Sequence, residues 1–148
     1  RSVGADRIVN AVGAYVKWGV GARQAAPLLV IDFGTATTFD VVTTQGDFIG
    51  GAIAPGLKTI NEALAEKCAQ LPLVPLELPK KVIGRTTVDA IRSGVFWGYV
   101  SLVEGMIVRF KKFLKSKVVH STTHSFCTSP KMNSFKTSSK KFHTLHNN

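Results

Sequence analysis

The run Leu28-Leu29-Val30-Ile31-Asp32-Phe33 is short, apolar and partly β-branched; it breaks at Gly34-Thr35-Ala36-Thr37-Thr38 and resumes as Phe39-Asp40-Val41-Val42. A continuous apolar segment of this length suits a buried strand. Gly34 lets the backbone bend tightly and approach a ligand with no Cβ in the way. Successive backbone N–H groups at such a turn, joined by the hydroxyls of Thr35, Thr37 and Thr38, can surround an anion. Asp32, at the strand end, offers a carboxylate to the cation that travels with a nucleotide. An ordinary hairpin is the other reading of the same residues.

At 148 residues the chain suffices for one core of common size and is too short for two comfortable domains. No run of about 18 apolar residues occurs, and Arg1-Ser2-Val3-Gly4 leads into no signal-peptide core, so a soluble, cytoplasmic protein without membrane contact is expected. The net charge of +10 suggests an anionic partner until its distribution is considered. Residues 1–110 hold 11 Lys and Arg against 9 acidic residues, whereas residues 111–148 hold 8 Lys and no acid. The basic character belongs to the tail, and the global charge says little about what the folded part binds. Cys68 and Cys127 form no disulfide framework, which fits a reducing compartment.

Ile8, Val12, Tyr15 and Val16 fall at roughly helical spacing within residues 3–16, and Gly19, Gly21 and Pro27 end that helix. Residues 20–26 read as a loop delivering the chain to the first strand. Phe39–Val42 and Phe48–Ile53 follow as strands joined by a polar turn, and short turns imply antiparallel neighbours. After Pro55-Gly56, the residues Leu57, Ile60, Leu64, Cys68 and Leu71 form one helical stripe, with Lys58, Asn61, Glu62, Glu66 and Lys67 on the solvated side. A stretch punctuated by Pro72, Pro75 and Pro79 leads to a long helix from Val88 to about Leu114. Helix, three-stranded meander, helix, loop, helix is the α/β layout of an actin-like or sugar-kinase-like nucleotide domain. From about Phe113 periodicity disappears, and residues 113–148 are expected to form a basic, disordered tail beyond the folded part at 1–112.

Gly4-Ala5-Asp6-Arg7 opens the first helix and sets a carboxylate beside a guanidinium. An Arg there suits a substrate carboxylate, and an Asp can accept a hydroxyl proton as general base. A plain cap or helix-dipole partner is the alternative. In the tail, His120, His124 and Cys127, with His143 and His146, do not match the paired spacing of small zinc modules. Scattered Phe126, Phe135 and Phe142 give little support to a nucleic-acid surface.

Gly4-Ala5-Asp6-Arg7, Asp32-Phe33-Gly34-Thr35-Ala36-Thr37-Thr38, Gly50-Gly51-Ala52-Ile53-Ala54-Pro55-Gly56, Gly84-Arg85-Thr86-Thr87-Val88 and Ser93-Gly94-Val95-Phe96-Trp97-Gly98-Tyr99 closely resemble, in order, the motifs of the type III pantothenate kinases. The resemblance covers roughly residues 2–112. It implies an acetate and sugar kinase, heat-shock chaperone and actin-type (ribonuclease H-like) fold, phosphorylation of the primary hydroxyl of pantothenate by ATP with magnesium as the first step of coenzyme A synthesis, and a homodimer. By that resemblance Gly4, Ala5, Asp6, Arg7 and Thr87 contact pantothenate, with Asp6 as proton acceptor. Gly34 and Thr35 contact ATP, and Asp32 holds a monovalent cation, potassium or ammonium.

Relatives begin with a strand bearing an Asp-x-Gly-Asn-Thr turn, which this sequence does not contain, and the residues after Phe113 do not follow the family pattern. The expectation is therefore an internal kinase segment, inactive alone. A non-catalytic regulatory or nucleic-acid-associated protein with a half-site, and another sugar-kinase-like phosphotransferase, are the competing readings.

Overall fold

The computed structural model describes residues 3–19, 27–115 and 120–124. Helix α1 (Ala5–Ala14) passes into a single π-helical turn (Tyr15–Gly19); strands β1 (Leu28–Phe33), β2 (Ala36–Val42) and β3 (Phe48–Pro55) follow, then α2 (Leu57–Lys67), α3 (Thr87–Phe113) and strand β4 (His120–His124). The expected loop at 20–26 lies outside the described residues. Three strands form the anticipated antiparallel meander, with Asp32 opposite Thr38 and Asp40 opposite Gly51.

The sheet has four strands in the order β3-β2-β1-β4, and β4 runs parallel to β1, with Leu28 opposite His120 and Asp32 opposite His124. Five residues of the segment expected to stay disordered thus pair at the sheet edge; the remainder of that segment beyond Lys115 lies outside the described residues. Enclosure of β1 and β2 between strand neighbours, with helices on both faces, explains their near-continuous apolar composition. Edge strand β3 instead alternates between half-buried and exposed residues.

Period-two alternation divides the sheet residues between two layers. Leu29, Ile31, Phe39 and Val41 pack with Leu57 of α2, Val74, and Ile91, Val95, Tyr99 and Val103 of α3. Leu28, Val30 and Val42 pack on the opposite face with Ala11 and Ala14 of α1, joined by Tyr15 and Phe48. Of the apolar residues read at helical spacing, Ile8, Val12 and Val16 are exposed and Tyr15 alone packs inward, while α1 itself meets the sheet with small Ala residues.

The 27-residue α3 is about 40 Å long. Thr86 caps it, its Oγ1 accepting from the Asp89 amide at 3.1 Å, while Lys111 and Lys112 complement the dipole in its last turn. Asn61, expected on the solvated face of α2, is buried, and its Nδ2 donates to the Val74 carbonyl at 2.7 Å. That bond tethers the proline-rich stretch, which Arg92 and Ser93 of α3 also hold through the Pro75 and Val82 carbonyls. Cys68 lies just beyond α2 and is exposed, so the helical stripe ends one turn earlier than expected.

Candidate functional site

Two groups of polar residues flank the end of the sheet where β1 turns into β2. On the α1 side, alternation brings Asp32, Thr38 and Asp40 to the helix-facing surface. Arg7 and Asn10 stand three residues apart on α1, hence on one face. Asn10 Nδ2 donates to Asp32 Oδ2 at 3.0 Å. Arg7 Nε donates to the two Asp40 carboxylate oxygens at 3.0 and 3.2 Å, and Nη2 donates to Oδ1. The guanidinium carbon also lies 5.6 Å from the centre of the Phe48 ring. The Asp40 hydrogen bond is the main reason that the Arg7 pKa lies above its ordinary value; burial opposes it, and the Asp40 and Asp6 charges add to it.

Asp6 has the opposite environment. It is exposed in the first turn of α1, and its carboxylate makes no hydrogen bond or ion pair among the described residues. A Cβ at Gly4 would lie 2.6 Å from Asp6 Oδ1, so the absence of a side chain there lets the carboxylate fold back over the helix start. The first turn of α1 thus presents an unpaired acceptor beside an anchored cation.

On the other side, the Gly34-Thr35 turn packs against the start of α2. The Thr35 carbonyl accepts from the Gly56 amide at 2.8 Å and from Thr59 Oγ1 at 2.7 Å. A Cβ at Gly56 would lie 2.0 Å from the Gly34 carbonyl oxygen, which makes glycine a steric requirement of this approach. The expected cluster of amides and three hydroxyls is only partly present. The Gly34 amide donates to the Ala36 carbonyl at 3.1 Å and so closes the hairpin. The Thr37 hydroxyl is buried against α3 in a short hydrogen bond with the Tyr99 hydroxyl, because adjacent strand residues point to opposite faces. Thr35 remains exposed.

Thr87 is the first residue of α3, exposed, and twelve residues before Tyr99, about 18 Å along the helix. It makes no hydrogen bond or ion pair to Asp6 or Arg7 among the described residues. The structure therefore joins Gly4–Arg7 to Asp32 through α1 and the sheet and places Gly34-Thr35 at the same sheet end, while Thr87 stands on a different element, at the start of α3. Sequence reasoning missed Asn10, Asp40 and Phe48. A carboxylate inside the apolar run Phe39–Val42 was the available signal, since a charge on an interior strand requires a partner. Neither a cluster of three metal-ligating His, Cys, Asp or Glu side chains nor a helix suited to crossing a membrane occurs among the described residues.

An antiparallel meander with helices on both faces, and a glycine turn packed on a helix start, make an α/β domain, the architecture expected of the actin-like ATPase class. The sequence profile of the type III pantothenate kinases matches residues 1–109, and the chain belongs to that family. It is similar to the type III pantothenate kinase of Paramagnetospirillum magneticum, with 56% identity over 110 residues, 74% of this chain and 40% of that one. The enzyme of the same name from Phenylobacterium zucineum is 52% identical over 108 residues, 73% of this chain and 40% of its own. The chain thus spans about 40% of the length of these curated relatives. A solved structure of a conserved putative Baf family transcriptional activator from Campylobacter jejuni aligns over 91% of this chain and 63% of that one, with a TM-score of 0.39 and 19% identity.

Proposed function

We propose that this chain supplies the pantothenate-binding part and one nucleotide-binding turn of a type III pantothenate kinase, which transfers the γ-phosphoryl group of ATP to the primary hydroxyl of pantothenate. The observation that carries this reading is the contrast between two consecutive residues. Arg7 is anchored on Asp40, while Asp6, at the start of the same helix, is exposed and makes no hydrogen bond or ion pair among the described residues. Arg7 holds the substrate carboxylate, with Gly4 and Ala5 offering backbone groups and Thr87 a further contact. Asp6 takes the hydroxyl proton as the oxygen bonds to the γ-phosphorus and the bond to the bridging oxygen breaks, releasing ADP. A base so placed contributes typically about 10²–10⁴ in rate. Positioning and charge neutralisation supply most of the remainder.

Gly34 and Thr35 meet the nucleotide. Asp32, half-buried and oriented by Asn10, fits a monovalent cation, potassium or ammonium, because a single charge is balanced by one carboxylate with neutral oxygens completing the shell. That ion, like the magnesium accompanying ATP, offsets phosphate charge when bound. The reading carries with it a cytoplasmic location and a homodimer, for which exposed Ile8, Val9 and Val12 on α1, with Val16 in the π-helical turn that follows, give an apolar surface.

The test is a hybrid in which residues 1–109 replace the matching segment of the Paramagnetospirillum magneticum relative, assayed with ATP against a panel of hydroxyl acceptors. Phosphopantothenate formation supports the reading. Turnover restricted to sugars identifies another phosphotransferase, and turnover of no acceptor contradicts a catalytic role.

A further inference from the structure

Asp40 is 1% exposed and lies on β2 between Val30 of β1 and Gly51 of β3. Its place depends on a missing side chain, since a Cβ at Gly51 would lie 2.6 Å from Asp40 Oδ1 and 1.8 Å from the Phe39 carbonyl oxygen. The carboxylate engages Arg7 along one edge, through Nε and Nη2. Phe48 covers the guanidinium at 5.6 Å. Nη1 makes no hydrogen bond or ion pair among the described residues.

A guanidinium is a planar fork of five donors, and one carboxylate along the Nε–Nη2 edge leaves the Nη1–Nη2 edge open for another. Fixing the first edge fixes the direction of the second. Burying an ion pair is costly and adds little to stability compared with apolar packing, whereas a preset donor direction lowers the ordering cost of recognition. We infer that Asp40 and Phe48 are positioning residues which aim the free edge of Arg7 at a carboxylate on the substrate, and so select acceptors that carry that group. This rests on the reading of Gly4–Arg7 as the pantothenate contact.

The two effects of removing Asp40 oppose each other, and this makes the claim testable. Loss of the Asp40 charge strengthens the bare attraction of Arg7 for an anion, while loss of its orientation weakens paired binding. The experiment measures binding of pantothenate, and of pantothenol with a hydroxymethyl in place of the carboxylate, to the 148-residue chain and to its Asp40→Asn and Phe48→Leu variants. Circular dichroism checks the fold, and Phe48→Leu decides the matter if Asp40→Asn does not fold. Positioning predicts that pantothenate binding falls about tenfold in Asp40→Asn and about threefold in Phe48→Leu, with pantothenol changed less than about twofold in either. Unchanged or tighter pantothenate binding, or equal losses for both ligands, overturns it. If the unaltered chain binds neither ligand, the substrate reading itself fails and the proposal falls with it.

Discussion

Asn10 Nδ2 donates to Asp32 Oδ2 at 3.0 Å, joining the middle of α1 to the last turn-facing carboxylate of β1. With Arg7 on Asp40, it gives the helix two polar fixings on the sheet, one turn apart, ahead of the apolar contact at Ala11 and Ala14. The Arg7 and Asn10 face of α1 is therefore placed by hydrogen bonds as well as by hydrophobic burial.

Asn10→Ala should destabilise the chain by about 1–2 kcal/mol, since it leaves a half-buried carboxylate with one donor fewer. Urea denaturation measures this, and an unchanged midpoint would show that the bond contributes nothing.

The Thr37–Tyr99 hydroxyl pair gives a double-mutant test. Tyr99→Phe leaves the buried Thr37 hydroxyl without its partner and should cost about 1–3 kcal/mol. Adding Thr37→Val should recover part of the loss, because both polar groups are then gone. Burial also raises the Tyr99 phenol above its ordinary pKa of 10.0, with the Thr37 bond acting in the opposite direction. The folded state then retains this proton more tightly than the unfolded state, so the associated stability is present below pH 10.0 and lost as pH rises past it. Denaturation midpoints across that range should fall with pH in the parent and less steeply in Tyr99→Phe.

Gly56→Ala and Gly94→Ala should move stability in opposite directions. At Gly56 the new methyl would meet the Gly34 carbonyl at 2.0 Å, forcing the Gly34-Thr35 turn away from α2 at a cost of about 1–3 kcal/mol or more. At Gly94, within α3, a Cβ has nothing within 4 Å, and Ala should stabilise by up to about 1 kcal/mol through helix propensity. Thermal denaturation of the two variants side by side checks both signs.

Local pattern made much of the fold legible. The continuous run Leu28–Phe33 and the stripe from Leu57 to Leu64 carry their own pattern, and the long apolar helix read from Val88 starts within one residue of α3. Long-range pairing was not legible in the same way. Arg7 and Asp40 are 33 residues apart, and only the sheet register brings them together. The outward turn of Ile8, Val12 and Val16 follows from that pairing, because Arg7 and Asn10 occupy the face that meets the sheet. Strand β4, His-Ser-Thr-Thr-His, has no apolar pattern; its assignment comes from backbone pairing with β1. Buried Asn61 looked solvated because its partner, the Val74 carbonyl, is a backbone group that composition does not reveal.

The central claim is that Asp6 accepts the proton while Arg7 holds the substrate, and it is tested most directly by Asp6→Asn in the hybrid enzyme, with turnover and pantothenate binding measured together. The amide keeps the size of the side chain but cannot take a proton, so kcat should fall by about 10²-fold or more while pantothenate affinity changes little. Turnover equal to that of the unaltered hybrid would contradict the account.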